Sequence, residues 1–107
     1  MRKITQDAIQ AFTNRTNFKQ GNTEVKAMVK GQGFLTFLLL HGNIIASLDL
    51  FGNFHISNGG HTPPNDATGS TTTKERLNGF PNVQIIQKDF QWFLNGNAWN
   101  GEEILVE

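Results

Sequence analysis

Thr23-Glu24-Val25-Lys26-Ala27-Met28-Val29-Lys30, then Gly31-Gln32-Gly33, then Phe34-Leu35-Thr36-Phe37-Leu38-Leu39-Leu40, is the stretch whose reading decides the fold. Val25, Ala27 and Val29 fall on one side of a period-two pattern, with Glu24, Lys26 and Lys30 on the other. That is the signature of a half-exposed strand. The glycine pair turns the chain. Phe34–Leu40 is then apolar on both faces apart from Thr36, as expected of a central strand covered on both sides or lying at a dimer contact. Working outward, His41-Gly42-Asn43 turns again, and Ile44–Leu50 alternates Ile44, Ala46 and Leu48 against Ile45, Ser47 and Asp49. Phe51-Gly52-Asn53 leads into a short strand, Phe54–Ser57. Turn-separated strands at this spacing describe an antiparallel meander.

Toward the N-terminus the period changes. Thr5 to about Asn14 reads as a helix, with Thr5 as N-cap, Asp7 in the first turn, and Ile4 and Ile9 at staple positions. Ala8, Ile9 and Phe12 give it one narrow apolar stripe, so it should lie on a sheet. Beyond the meander, Ser57 to Thr73 is a polar loop with no apolar side chain larger than alanine or proline. It runs into a short helix that Thr72 and Glu75 would open as a capping box and that Gly79 and Pro81 would close. Val83–Lys88 and Gln91–Leu94 resume strand patterning, and Asn95-Gly96 is a strong hairpin signal toward Ala98-Trp99. Ile104–Val106 closes the sequence of strands. The expected fold is α+β: an N-terminal helix packed on a mainly antiparallel sheet of about six or seven strands, with a short helix inserted midway, in a single domain spanning residues 1–107.

Composition narrows the function classes. The chain has 107 residues, nine basic and nine acidic, and no cysteine. Zero net charge lacks the footprint that drives non-specific nucleic-acid binding, which comes largely from phosphate neutralisation. The absence of cysteine removes disulfides, thiolate metal sites and thiol nucleophiles. No apolar run approaches the ~20 residues of a membrane helix, and the first residues have no apolar signal core. A soluble, cytoplasmic protein without a membrane partner is expected.

Candidate chemistry is sparse. The helix entrance offers hydroxyls from Thr71, Thr72 and Thr73, first-turn N–H groups and the cations Lys74 and Arg76, which together could hold a phosphate. The phosphate-loop and dinucleotide glycine patterns are missing, as are the nucleophile-elbow and zinc-protease motifs. His55 and His61 flank Asn58-Gly59-Gly60 with Asp66 nearby, but their spacing matches no zinc pattern. No cofactor and no metal site is expected, and no catalytic residue is assigned. Phe90, Trp92, Phe93 and Trp99 crowd one hairpin, where an exposed face would serve a protein interface or base stacking.

The order Gly21-Asn22-Thr23-x-Val25, Leu40-His41-Gly42-Asn43-x-Ile45-Ala46, Thr72-Thr73-Lys74-Glu75-Arg76-Leu77-Asn78 and Gln91-Trp92-x-Leu94-Asn95-Gly96-x-x-Trp99-x-Gly101 resembles a group of small uncharacterised tailed-bacteriophage accessory proteins. The resemblance runs from Ile4 to the C-terminus, with His61 to about Ser70 standing as an insertion. It implies a non-structural phage protein made in the bacterial cytoplasm, of the kind that binds and inhibits a host factor or defence system. The expected contact residues are Asn58, Thr71, Thr72, Thr73, Lys74 and Arg76, with Trp92 and Trp99 as aromatic anchors. The alternative is a nucleotide or oligonucleotide binder that sequesters a signalling molecule or single-stranded nucleic acid. A hydrolase or transferase using His55 or Asp66 ranks last. Homodimerisation through Phe34–Leu40 is a further expectation.

Overall fold

A computed structural model describes residues 2–30, 33–59, 67–89 and 91–106, and structural statements below concern these. The elements are α1 (Lys3–Thr13), β1 (Phe18–Gln20), β2 (Thr23–Lys30), β3 (Gly33–Leu40), β4 (Asn43–Leu48), β5 (Phe54–Ile56), α2 (Ala67–Leu77), β6 (Ile85–Lys88), β7 (Gln91–Leu94), β8 (Asn97–Trp99) and β9 (Ile104–Val106). The strands form a six-stranded sheet in the order β1-β2-β3-β4-β5-β9 and a three-stranded sheet in the order β6-β7-β8. Every pairing is antiparallel. The α+β expectation holds, with the tryptophan hairpin in a sheet of its own.

Both helices and the small sheet pack on one face of the large sheet. On that face Val25 opposes Leu38, and Leu38 opposes Ala46. These join Ala8, Phe12, Phe54, Ile56, Leu77, Phe80, Ile85, Trp92, Leu94 and Trp99 in a single core. Phe12, Phe54 and Phe80 meet at ring-centroid separations of 4.9–5.9 Å in edge or tilted contacts, a favoured aromatic geometry. The opposite face has no described element packed on it.

Helix α1 starts earlier than its sequence suggests. Arg2 occupies the N-cap position without a side-chain bond, and Thr5 sits inside the first turn, completely buried. Its hydroxyl is used by Glu75 and Arg76 rather than by its own backbone. A tertiary partner has thus replaced the expected cap. The helix ends where Arg15 takes a left-handed conformation, φ 55°. There Thr16 N–H donates to Ala11 O at 2.9 Å and Arg15 N–H to Phe12 O at 3.2 Å, the pair of bonds that closes a helix around a left-handed residue.

Strand β4 departs from simple alternation. Leu38 opposes Ala46 while Leu39 opposes Ile44, so Ile45 is an extra residue. Such a bulge re-aims side chains. Ile45 and Ala46 are both buried, while Ile44 is 44% exposed on the outer face. Simple alternation would put Ile44 on the same face as Ala46.

Helix α2 also differs from expectation. It begins at Ala67, so Thr72 and Glu75 lie well inside it and form no capping box. Gly79 has no positive φ, and its role is steric. A Cβ there would stand 2.8 Å from Thr5 Cγ2 and 2.9 Å from Ile9 Cγ1. Only glycine lets the turn after α2 approach α1 so closely. The two-residue turns His41-Gly42 and Asn95-Gly96 each carry two positive φ values, as tight hairpins require.

Candidate functional site

Arg76, expected at a helix tip, is instead the centre of a buried network between the two helices and β2. Arg76 is 1% exposed. Its Nε donates to Thr23 Oγ1 at 3.0 Å and its Nη1 to Thr5 Oγ1 at 2.9 Å, and it pairs with Glu75. Thr5 in turn donates to Glu75. Thr23 donates to Asn22 Oδ1 at 2.8 Å, and Asn22 Nδ2 lies 3.4 Å from His41 Nε2. A guanidinium inside a protein is tolerable only when paired and hydrogen-bonded, and here α1, α2 and β2 each supply a partner. The arrangement joins elements and leaves Arg76 no access to a ligand.

The remaining expected contact residues are dispersed. Thr73 is fully buried; Trp92 and Trp99 are 1% and 6% exposed. The two indoles pack against each other at 5.8 Å, and Trp99 Nε1 donates to the Glu102 carbonyl at 2.9 Å. Neither tryptophan can anchor a partner in this conformation. Lys74 is half-buried, its Nζ donating to Gln87 Oε1 at 2.7 Å and lying 5.8 Å from the Trp92 ring centre. Thr72 is half-buried within α2. The side chain of Thr71 is outside the described set, as are His61 and Asp66. Asn58 is half-buried; its N–H donates to Gly101 O at 2.8 Å, and its side chain fills the space where a Cβ at Gly101 would stand. The helix entrance itself lies at Ala67, not beside Thr71–Arg76.

What the surface does present is the turn between β4 and β5. Phe51 is 81% exposed and Leu50 51% exposed. The turn is held from within by the Asp49 carboxylate, whose Oδ1 accepts from Phe51 N–H and Asn53 N–H at 2.9 Å each, and whose Oδ2 accepts from Asn53 Nδ2 at 3.0 Å. The Asn53 side-chain amide, helped by the backbone bonds and the charge of His55, holds the Asp49 carboxyl below its ordinary pKa. From outside the turn, Arg15 donates to the Asp49 carbonyl oxygen and to Thr36 Oγ1, at 3.0 Å each. Beside it lies an apolar groove of about 240 Å³ whose walls include Phe12, Leu48, Phe54, Phe80 and Pro81. An aromatic projection and a hydrophobic recess therefore share one end of the molecule. By its sequence Phe51-Gly52-Asn53 is a turn leading into β5. The sequence signal for the exposed anchor is a large aromatic residue at a turn position, where solvent exposure is the rule.

Among the described residues no group of three or more His, Cys, Asp or Glu side chains converges to hold a metal. No described helix is long and apolar enough to cross a membrane.

An antiparallel α+β fold with an interior polar network and a projecting apolar turn defines a small module. Its class is given by comparison: it is a phage protein. The family model for the Kyanoviridae Gp96 protein matches residues 1–106, and the chain belongs to that cyanophage family. The resemblance to tailed-phage accessory proteins read from the sequence agrees with this. No curated protein and no solved structure matches the chain.

Proposed function

We propose that this chain is a non-enzymatic phage accessory protein that binds and inhibits a host protein of the infected bacterium, using the Leu50–Phe51 turn as its anchor. The observation that carries the reading is the combination of an 81% exposed Phe51 with a turn fixed by five hydrogen bonds accepted by Asp49, three at its carboxylate and two at its carbonyl oxygen. Exposed aromatic side chains supply much of the energy of protein interfaces. Holding one rigidly in advance lowers the ordering cost of association. The adjoining Phe12–Phe54–Phe80 groove offers a recess for an apolar side chain of the partner. Zero net charge favours a protein over nucleic acid as that partner.

The test compares what the wild-type chain and Phe51→Ala retain from host lysate, followed by reconstitution with the purified protein so identified. Phe51→Ala should fold normally and lose the partner. Equal retention by both chains, or by neither, would sink the proposal. A rise in melting temperature on adding nucleotides would favour sequestration of a nucleotide instead.

A further inference from the structure

The six-stranded sheet has a second face that nothing described covers. Lys19, Glu24, Leu39 and Ile44 form one row across β1 to β4. Lys26, Phe37, Ser47, His55 and Leu105 form the next row, across β2 to β9. Met28 and Leu35 stand opposite each other in a third. Ile44 and Met28 are 44% and 52% exposed, Phe37 and Leu35 are half-buried between them, and Leu39 is buried by its neighbours; Leu105 lies apart, beyond Ser47 and His55. A sheet face that lies open to water normally alternates to polar residues. This one carries an apolar band through the middle of the sheet. A contiguous patch of that kind marks an interaction surface.

We infer that this face binds a second copy of the chain, sheet against sheet, about a two-fold axis that crosses the strands between the first two rows. Rotation about such an axis exchanges one row with the other. It sets Glu24 against Lys26 of the second copy and the exposed Ile44 over Ser47 and beside Phe37, each contact occurring twice. Self-complementarity of one patch is what an isologous dimer demands. The paired rows supply it in both charge and apolarity. The chain's zero net charge adds no repulsion between copies.

The size is also sufficient. Strands β2 and β3 have eight residues each. At ~3.4 Å per residue and ~4.8 Å between strands, the face measures about 25 Å each way at its fullest. Allowing for the shorter outer strands, two copies would bury about 1,000 Å² in total, the lower bound for a specific interface. The Leu50–Phe51 turn lies outside the two rows, so the dimer would leave it free.

The experiment is sedimentation or light scattering on the full chain over a range of concentrations. A dimer is expected. Lys26→Glu should weaken it roughly tenfold or more by placing like charges in register, and adding Glu24→Lys to that variant should restore it. Phe37→Asp should give a monomer, while Phe51→Ala should leave the dimer intact. Because Phe37 is half-buried, the charge-reversal pair keeps the test independent of folding. A chain monomeric at every concentration, or a dimer indifferent to the charge reversal, would overturn the inference. So would protection of this face appearing only on addition of a host protein.

Discussion

The Arg15 guanidinium donates a hydrogen bond to the Asp49 carbonyl oxygen at 3.0 Å, tying the end of α1 to the turn that displays Phe51. The same guanidinium reaches Thr36 Oγ1 in the interior of β3. Arg15 makes these bonds from a left-handed backbone conformation, which costs a non-glycine residue about 1–2 kcal/mol. Hydrogen bonds involving a charged group contribute about 1.5–3 kcal/mol each, net of the bonds to water that they replace. The side-chain bonds outweigh the backbone cost.

Replacing Arg15 separates those two contributions. Arg15→Ala keeps the strain and loses both side-chain bonds, and should destabilise the fold by about 2 kcal/mol in denaturant unfolding. Arg15→Gly loses the bonds and the strain together, and should recover about 1 kcal/mol of that loss. In both variants the Phe51 and Asn53 amides should exchange with solvent faster than in the wild type.

Arg76 is the centre of the buried network, and truncating it leaves Thr5, Thr23 and Glu75 without their shared donor. Arg76→Ala should cost about 3–5 kcal/mol, the usual penalty for breaking a buried charged pair from one side. Arg76→Met combined with Glu75→Gln removes both charges and should cost markedly less. Equal melting temperatures for Arg76→Ala and the wild type would mean that the network contributes nothing to stability.

Gly79 lies against α1, and a methyl group there would meet Thr5 and Ile9 at under 3 Å. Gly79→Ala should destabilise by about 1–3 kcal/mol through overpacking, although the backbone conformation itself would accept alanine. Unfolding midpoints of the two proteins provide the check.

The pH dependence of the Phe51 turn follows from Asp49. Its pKa is held down in the folded state, chiefly by the Asn53 side-chain amide. A depressed folded value means that the ionised carboxylate favours the fold, fully so above the unfolded value of about 3.9. That contribution fades as the pH falls through the lowered folded value, when protonation removes the acceptor. Amide resonances of Phe51 and Asn53 should therefore titrate below the ordinary carboxylate range. Asp49→Asn should abolish that transition.

Periodicity and turn chemistry alone determined most of the architecture. Period-two alternation from Thr23 to Lys30 and the His41-Gly42 and Asn95-Gly96 turns are local features, set by backbone sterics within a few residues. They specify the meander, the hairpin and the α+β class without reference to any long-range contact. The sequence order of weak motifs also pointed to the phage family. Only the tertiary structure decided which polar residues are available. Arg76 and Thr73 look like solvent-facing helix residues, yet burial against α1 and β2 turns Arg76 into an internal brace. Thr5 looks like a cap, yet Glu75 and Arg76 claim its hydroxyl. Ile45 changes face because one extra residue enters β4 opposite Leu38. The turn that carries Phe51 is tied down by Arg15, 36 positions before Phe51 in the chain. Each outcome rests on partners distant in sequence, and local pattern carries no information about a side chain's neighbours across the fold.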